Sequence, residues 1–211
     1  PDVAVVPSEH FNTVLYTGNS TSGRAINGVG FQPDFVWFKA RSGSEPHLVV
    51  DAVRGAKRLL PNTDVVEANA TITFETDGVT VGTNSSNNDN NVPYVAWNWK
   101  APTSFSNDAS ATGIGDIDSS GKVNVDAGFS IITMTNTGND DAVAHGLSKV
   151  PELVIVKERG PGTGSWYVQT TVIDGSLDYL LLESTAAKGN LNSYAANLTA
   201  TTFPSMQIGV G

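Results

Sequence analysis

Oxygen-bearing side chains alternate between Asp116 and Gly121 in the order that opens a calcium-binding loop. Asp116 and Asp118 take the first and third positions, Ser120 the fifth and Gly121 the sixth. Carboxylate and hydroxyl oxygens are hard ligands suited to Ca²⁺, and glycine at position six permits a sharp turn. The twelfth position, which normally carries a bidentate acid, is Ala127. A calcium site at Asp116, Asp118 and Ser120 and an ordinary Asp-rich turn both stay open, and no other cofactor is predicted.

A second polar cluster, the tract from Thr83 to Asn91, is made wholly of Asn, Asp, Ser and Thr. Short polar side chains of this kind favour turns between strands. We expect an exposed hairpin loop, which is a natural place for a variable contact surface. The candidate ligand-binding residues in it are Asn87, Asn88, Asp89 and Asn90.

Tryptophan is the third residue type that could bind a ligand, because the apolar face of an indole can stack on a sugar ring. Alternation along the Tyr94–Lys100 strand puts Trp97 and Trp99 on one face, which we expect to pack in the core. Trp166 follows a Gly-rich loop and is the tryptophan expected to be exposed. Trp166 is therefore the predicted stacking residue.

The acidic and histidine residues do not form a recognisable catalytic pattern. A sandwich-fold glycosidase needs two facing carboxylates, whereas the candidate glutamates, five of the seven in the chain, are scattered. The histidines lie at or near strand ends without a companion Ser and acid motif. These residues are Glu67, Glu75, Glu152, Glu158 and Glu183, and His10, His47 and His145. We therefore predict that the chain is not an enzyme.

The elements that position these residues are short strands rich in β-branched and aromatic residues, bounded by Gly, Asn, Asp or Pro. The predicted strands are Phe35–Lys39, Leu48–Asp51, Thr71–Glu75, Val79–Val81, Tyr94–Trp99, Phe129–Met134, Leu153–Lys157 and Trp166–Val172. Two stretches, Asp64–Ala70 and Thr185–Lys188, could form helices too short to organise a fold. The pattern predicts an all-β fold, an antiparallel β-sandwich of jelly-roll or concanavalin-like type.

The chain repeats itself. The segment that starts at Phe11 and the strand that ends at Arg41 return at Phe129 and at Arg159. We expect a first sandwich repeat over residues 1–101, a Gly/Ser/Asp-rich connector over 102–128 and a second repeat over 129–211. Within the connector, Lys122–Asp126 alternates well enough to be a strand of the second repeat.

The second copy reaches Gly211 before any counterpart of Tyr94–Lys100. We therefore expect the second repeat to lack its last strand. A longer polypeptide or a neighbouring subunit could supply that strand, and the sequence leaves both open. It also leaves open whether the repeats are separate sandwiches or share sheets.

Composition narrows the class of partner. The formal charge is −9, with 12 Lys and Arg against 21 Asp and Glu, and there is no Cys. An acidic chain is a poor ligand for nucleic acid, and the absence of Cys removes disulfides and thiol chemistry. With no 18-residue apolar run, no membrane insertion is predicted.

Five ordered motifs carry a family resemblance. They are Tyr16–Asn19, Gly30–Lys39, Asp51–Gly55, Asp77–Gly82 and Tyr94–Ala101. Together they resemble a repeated domain of unknown function in virion and tail proteins of marine bacteriophages. The second copy looks like a companion repeat, with Ala127–Ile131, Ala144–Leu147, Pro151–Lys157 and Ser165–Val168. The resemblance implies a β-sandwich on the surface of a phage particle, and it implies no catalytic residues.

Three functions follow as expectations. The first is a virion surface protein (tail fibre, tail tip or head decoration) that attaches to a host surface or builds the particle. The second is a carbohydrate-binding module of a larger extracellular protein, and the third is a purely architectural capsid or tail component. The expected partners are other virion subunits, most simply copies of the same chain, and a bacterial surface glycan whose many weak contacts multivalency would strengthen.

Overall fold

The computed structural model describes residues 5–160, 164–191 and 196–206. The chain forms two compact units, of which the first comprises residues 1–61 and 67–102 and the second residues 62–66 and 103–211. Both are built from antiparallel sheets, so the predicted all-β class is confirmed. The jelly-roll or concanavalin-like type and the tandem repeat stay predictions.

The first unit contains a short 3₁₀ helix, nine strands and one short α-helix among its described residues. The 3₁₀ helix is Pro7–Glu9, and the strands are β1 (Phe11–Thr17), β2 (Arg24–Asn27), β3 (Phe35–Ala40), β4 (Leu48–Asp51), β5 (Lys57–Arg58), β6 (Ala68–Asn69), β7 (Ile72–Glu75), β8 (Gly78–Val81) and β9 (Pro93–Trp99). Helix α1 (Ser85–Asn88) lies between β8 and β9. The sheet orders are β1-β9-β3-β4, β2-β8-β7 and β5-β6.

The core of the first unit lies between its two larger sheets. Val36, Phe38 and Ala96 of one sheet pack with Ile26 and Val79 of the other. Each of these side chains is nearly inaccessible to solvent. Burial of β-branched and aromatic side chains on alternate positions is what holds a sandwich-like pair of sheets together.

The second unit is also built from antiparallel sheets, but the order of its strands differs from that in the first unit. Its strands are β10 (Thr103–Asn107), β11 (Ser119–Asn124), β12 (Phe129–Met134), β13 (Ala142–Ala144), β14 (Leu153–Lys157), β15 (Trp166–Thr170), β16 (Asp178–Leu181), β17 (Gly189–Asn190) and β18 (Thr202–Pro204), and α2 spans Ala109–Thr112. The sheet orders are β10-β11-β12, β14-β15-β16-β17 and β13-β18. Val143, Val156, Leu191 and Phe203 lie in its core.

Two local expectations differ from the structure. The 102–128 segment, expected as a connector, contains β10 and β11, which pair with β12 in one sheet. Alternating side chains and a close approach at Gly121, where a Cβ would lie 1.8 Å from the Ile131 carbonyl oxygen, make this pairing possible. The two expected helices are wrong: Asp64–Ala70 includes strand β6, and Thr185–Lys188 is irregular. Both stretches are too short to sustain helical hydrogen bonding without packing.

Candidate functional site

The candidate site is the outer face of the four-stranded sheet of the first unit. Strand β9 is central there, with β1 on one side and β3 on the other. Tyr94, Ala96 and Asn98 point inward and are at most 1% exposed, whereas Trp97 and Trp99 are partly exposed. The expectation that the tryptophan face of β9 packs in the core is therefore wrong.

The reversal has a physical reason. The inward Asn98 is compatible with burial because its side-chain amide donates to the carbonyl oxygens of Asn12, at 3.2 Å, and Ala96, at 3.0 Å. The small Ala96 fits between Val14 of β1 and Phe38 of β3. The large indoles of Trp97 and Trp99 then lie on the opposite face of the sheet, where they are partly exposed.

Strand register assembles aromatic side chains from three strands into rows. Trp99 lies opposite Phe11 on β1 and Phe35 on β3, with ring centroids 4.8 and 5.4 Å away. In the next row, Trp97 lies opposite Trp37 of β3. We call this set, Phe11, Phe35, Trp37, Trp97 and Trp99, the aromatic face. Every member is at least partly accessible to solvent.

Polar groups accompany the aromatic face. The Trp37 indole Nε1–H donates to His47 Nδ1 at 2.9 Å, which fixes the orientation of the ring. Burial, and then the nearby charge of Lys39, lower the pKa of His47. The imidazole is therefore neutral near pH 7 and keeps the lone pair that this hydrogen bond needs. Thr13 is exposed on β1 directly opposite Trp97.

Such a face has a definite chemical capacity. Indole and phenyl faces are apolar with a negative quadrupole, so they attract the C–H faces of sugar rings, while neighbouring hydroxyl and ammonium groups can bond to sugar hydroxyls. The arrangement suits binding.

The Thr83–Asn91 tract was expected to be an exposed hairpin loop. It contains helix α1, of which Ser86, Asn87 and Asn88 are buried. Asn84 caps α1, because its side-chain oxygen accepts from Ser86 N at 2.9 Å. Asn88 is fully buried: its oxygen accepts from Asn19 N, and its amide donates to the carbonyls of Thr21 and Gly82. The expected exposure of Asn88 is wrong because its buried amide joins the loop between β1 and β2 to Gly82, at the end of β8.

The other three predicted residues of that tract lie in different environments. Asp89 Oδ1 accepts from Ser20 Oγ and from Asn90 N, and Asn90 is exposed. Asn87 is only 3% exposed, and its side-chain oxygen has no hydrogen-bond partner among the described residues.

Asn87 lines a cavity of about 470 Å³. The walls of the cavity are mainly polar. The polar lining residues are Arg58, Asn69, Thr71, Thr83, Asn84, Ser85 and Asn87, and the apolar ones are Leu48 and Ala70. It is a second place where a polar ligand could bind.

Trp166, predicted to be the exposed stacking residue, is only 7% exposed. Its strand β15 is an inner strand between β14 and β16. Its indole N–H donates to the Thr63 carbonyl oxygen at 3.0 Å, so the polar edge of the ring is satisfied. The exposure predicted from the preceding Gly-rich loop is wrong, and Trp166 is part of the packing of the second unit.

The three predicted calcium ligands have separate partners. Asp116 Oδ2 accepts from Ala142 N at 2.8 Å, and Asp118 Oδ1 accepts from Ala109 N at 2.9 Å. Ser120 lies in β11 with its hydroxyl 3.3 Å from that of Thr133. Within the part of the chain that the structure describes, no group of three or more acidic or histidine side chains could hold a metal ion.

Arg54 and His145 are each held by neighbouring groups. Arg54 Nε bonds to Asp51 Oδ2 at 2.6 Å, and Arg54 Nη1 bonds to Glu67 Oε2 at 3.0 Å. His145 Nδ1 accepts from Leu147 N at 3.0 Å, and burial lowers the pKa of this histidine. These contacts stabilise turns.

Sequence reasoning missed most of the aromatic face because it assigned the wrong side of β9 to the core. The sequence contained a signal for this face. In the antiparallel register, Phe11, Phe35 and Trp37 lie on the same side of the sheet as Trp97 and Trp99. Reading three strands together would have placed all five rings on one face.

Comparison with known proteins adds a family. The family model described as "Domain of unknown function (DUF7483)" matches residues 6–211. No curated protein and no solved structure matches the chain. No helix of the described residues is long and apolar enough to cross a membrane.

Proposed function

The chain belongs to the DUF7483 family of domains of unknown function, and we propose that it is a non-catalytic adhesion module of a phage virion surface that binds a bacterial surface glycan. The observation that carries the proposal is the aromatic face, where five partly accessible rings cover three neighbouring strands. The motif resemblance to virion and tail proteins supports the location on a particle.

Glycan binding by this face follows from its shape and chemistry. Two rows of rings offer successive stacking positions, as a chain of sugars would require, and the Trp37 ring is held in place by His47. A ring that is already ordered loses little conformational entropy when a ligand binds. Each contact is weak, and many copies on one particle would raise the overall affinity.

A second function is favoured by a specific observation. Leu15, which is 60% exposed, lies opposite Val95 next to the aromatic face. A combined aromatic and aliphatic surface is also typical of protein interfaces. The face would then bind a neighbouring virion subunit, and the protein would be architectural. Homo-oligomerisation through this surface is part of that alternative.

The test is calorimetric titration of the whole chain with oligosaccharides released from bacterial envelope polysaccharides. The chain and its Trp97→Ala and Trp99→Ala variants are compared with Ile173→Ala, which truncates a side chain 45% exposed elsewhere. We expect each tryptophan variant to weaken binding about tenfold or more, equivalent to about 1.4 kcal/mol, and Ile173→Ala to bind normally.

Two results would contradict the proposed site. Binding that survives in both tryptophan variants but is lost in Asn87→Ala would move the ligand to the 470 Å³ cavity. No saccharide binding, together with a closed oligomer that Leu15→Asp and Trp97→Ala dissociate in light scattering, would establish the architectural function instead.

A further inference from the structure

The outer face of the four-stranded sheet extends beyond the aromatic face. The pairing of β3 with β9 continues for one residue after β3 ends, because Arg41 N donates to the Pro93 carbonyl oxygen at 2.7 Å. Side chains alternate between the two faces of a strand. Four residues of β3 and its extension therefore share the outer face, namely Phe35, Trp37, Lys39 and Arg41. All four are accessible to solvent, whereas the three residues between them are buried.

Strand register arranges this outer face in four rows, each with one outward residue from β1, β9 and β3. In order, the rows are Phe11, Trp99 and Phe35; Thr13, Trp97 and Trp37; Leu15, Val95 and Lys39; and Thr17, Pro93 and Arg41. The first two rows carry the aromatic face, the last two carry both cations, and no row contains an acidic residue. Since the chain has 21 acidic and 12 basic residues, these rows have a charge opposite in sign to that of the whole protein.

Lys39 lies next to the group that orients Trp37. Burial and, second, the charge of Lys39 lower the pKa of His47, the residue whose Nδ1 accepts from the Trp37 indole at 2.9 Å. Lys39 Nζ donates to the backbone carbonyl oxygen of Glu45 at 2.9 Å, while the Glu45 carboxylate accepts from Ser85 Oγ. One bond to a neutral carbonyl leaves the ammonium with two further N–H donors for a ligand.

Arg41 continues the same line of side chains. It is exposed, and its guanidinium makes no ion pair or hydrogen bond within the described part of the chain. Successive outward residues of an antiparallel strand are about 7 Å apart, so Lys39 and Arg41 follow Trp37 at intervals of about that length. A guanidinium binds a carboxylate through two parallel hydrogen bonds. The cationic rows therefore suit a carboxylate attached to a ring that stacks beside them.

We propose that the ligand of this face is an acidic saccharide, whose sugar rings stack on the aromatic face and whose carboxylate lies between Lys39 and Arg41. This inference rests on the glycan binding proposed above and names the class of glycan. A uronic acid suits both parts of the surface, because its carboxylate projects from the edge of a ring whose C–H face stays free to stack. Nucleic acid is a poorer ligand, since two cations on a chain of charge −9 neutralise few phosphates.

The test compares acidic oligosaccharides with uncharged forms of the same rings. The probes are hexasaccharides of galacturonic, glucuronic and mannuronic acid, each with its methyl ester, titrated calorimetrically into the whole chain. We expect at least one acid to bind about tenfold more tightly than its ester in about 50 mM salt. This advantage should fall below about twofold in about 0.5 M salt, because salt screens exposed charges.

Three single-charge variants locate the carboxylate. Lys39→Gln and Arg41→Gln should each weaken binding of the acid about threefold or more and leave binding of the ester unchanged, which also shows that both variants are folded. The matched control is Lys149→Gln, which makes the same change of charge at an exposed lysine of the second unit and should affect neither ligand. Trp97→Ala should weaken acid and ester alike, because both use the same rings.

Several results would overturn the acidic class and leave glycan binding standing. They are equal affinities for acid and ester, equal losses in all three charge variants, or binding of a neutral envelope oligosaccharide without binding of any uronate. A preference for the acid that persists in both Lys39→Gln and Arg41→Gln would also overturn the proposal, because the carboxylate would then lie elsewhere. Saccharide binding that Trp97→Ala leaves intact would instead contradict the proposed function of the aromatic face.

Discussion

Replacing Arg54 with methionine removes a guanidinium that bonds to two carboxylates of the first unit. The Arg54 and Asp51 side chains are 6% and 4% exposed, and that of Glu67 is 15% exposed. Breaking a buried ion pair by removing one partner costs about 3–5 kcal/mol. Asp51 keeps its hydrogen bonds from the backbone N–H of Val53, at 3.1 Å, and of residue 54, at 2.8 Å, and the Glu67 side chain is 15% exposed.

Because these contacts remain, we expect Arg54→Met to lower the free energy of unfolding by an amount near the lower end of that 3–5 kcal/mol range, about 3 kcal/mol. For a unit of this size that corresponds to a fall in melting temperature of about 12–24 °C. The assay is urea unfolding followed by tryptophan fluorescence, since Trp37, Trp97 and Trp99 all lie in this unit. A double-mutant cycle with Asp51→Asn isolates the coupling within the pair.

The matched control is Arg41→Met, the same substitution at an exposed arginine. It should change stability by no more than about 0.5 kcal/mol. A loss below about 1 kcal/mol for Arg54→Met, or equal losses for the two variants, would refute the view that this buried ion pair fixes the turn after β4.

Three further outcomes are expected. Burial lowers the pKa of His145 below its ordinary value of 6.5, so near and below that pH the folded chain binds fewer protons than the unfolded chain. The contribution of His145 to the free energy of unfolding is therefore fully present above pH 6.5 and is lost as the pH falls below it. His145→Gln should flatten this part of a melting-temperature profile between pH 7.5 and 5. Gly121→Ala places a methyl group against the Ile131 carbonyl, and chemical unfolding should show a loss of about 3 kcal/mol or more. Asn88→Ala removes a fully buried amide that makes three hydrogen bonds, to Asn19, Thr21 and Gly82, and should cost about 3 kcal/mol in the same assay, with exposed Asn90→Ala near zero.

Local patterns predicted eight of the eighteen strands found among the described residues, because β-branched and aromatic runs bounded by turn residues are typical of extended backbone. Leu48–Asp51, Phe129–Met134 and Leu153–Lys157 were predicted with the bounds that the structure has. The strand at Tyr94–Trp99 was also predicted, and begins one residue earlier, at Pro93.

Which face of a strand is the core could not be read from one strand. Alternation defines two faces of β9 but does not rank them, and hydrophobicity alone favoured Trp97 and Trp99 over a face containing Asn98. The decisive facts are non-local: the Asn98 side-chain N–H donates to the Asn12 carbonyl oxygen of β1, and Ala96 is small enough to lie between two neighbours. The burial of Trp166 likewise depends on Thr63, more than a hundred residues away in sequence.

The measurement that tests the aromatic face most directly is a ¹H–¹⁵N spectrum of the four tryptophan indoles during titration with a bacterial envelope oligosaccharide, each signal assigned by a Trp→Phe variant. We predict that the signals of Trp37, Trp97 and Trp99 shift together with one saturable affinity, while that of Trp166, buried and bonded to Thr63, stays in place. A saturable ligand that leaves the first three signals unchanged would contradict the assignment of glycan binding to this face.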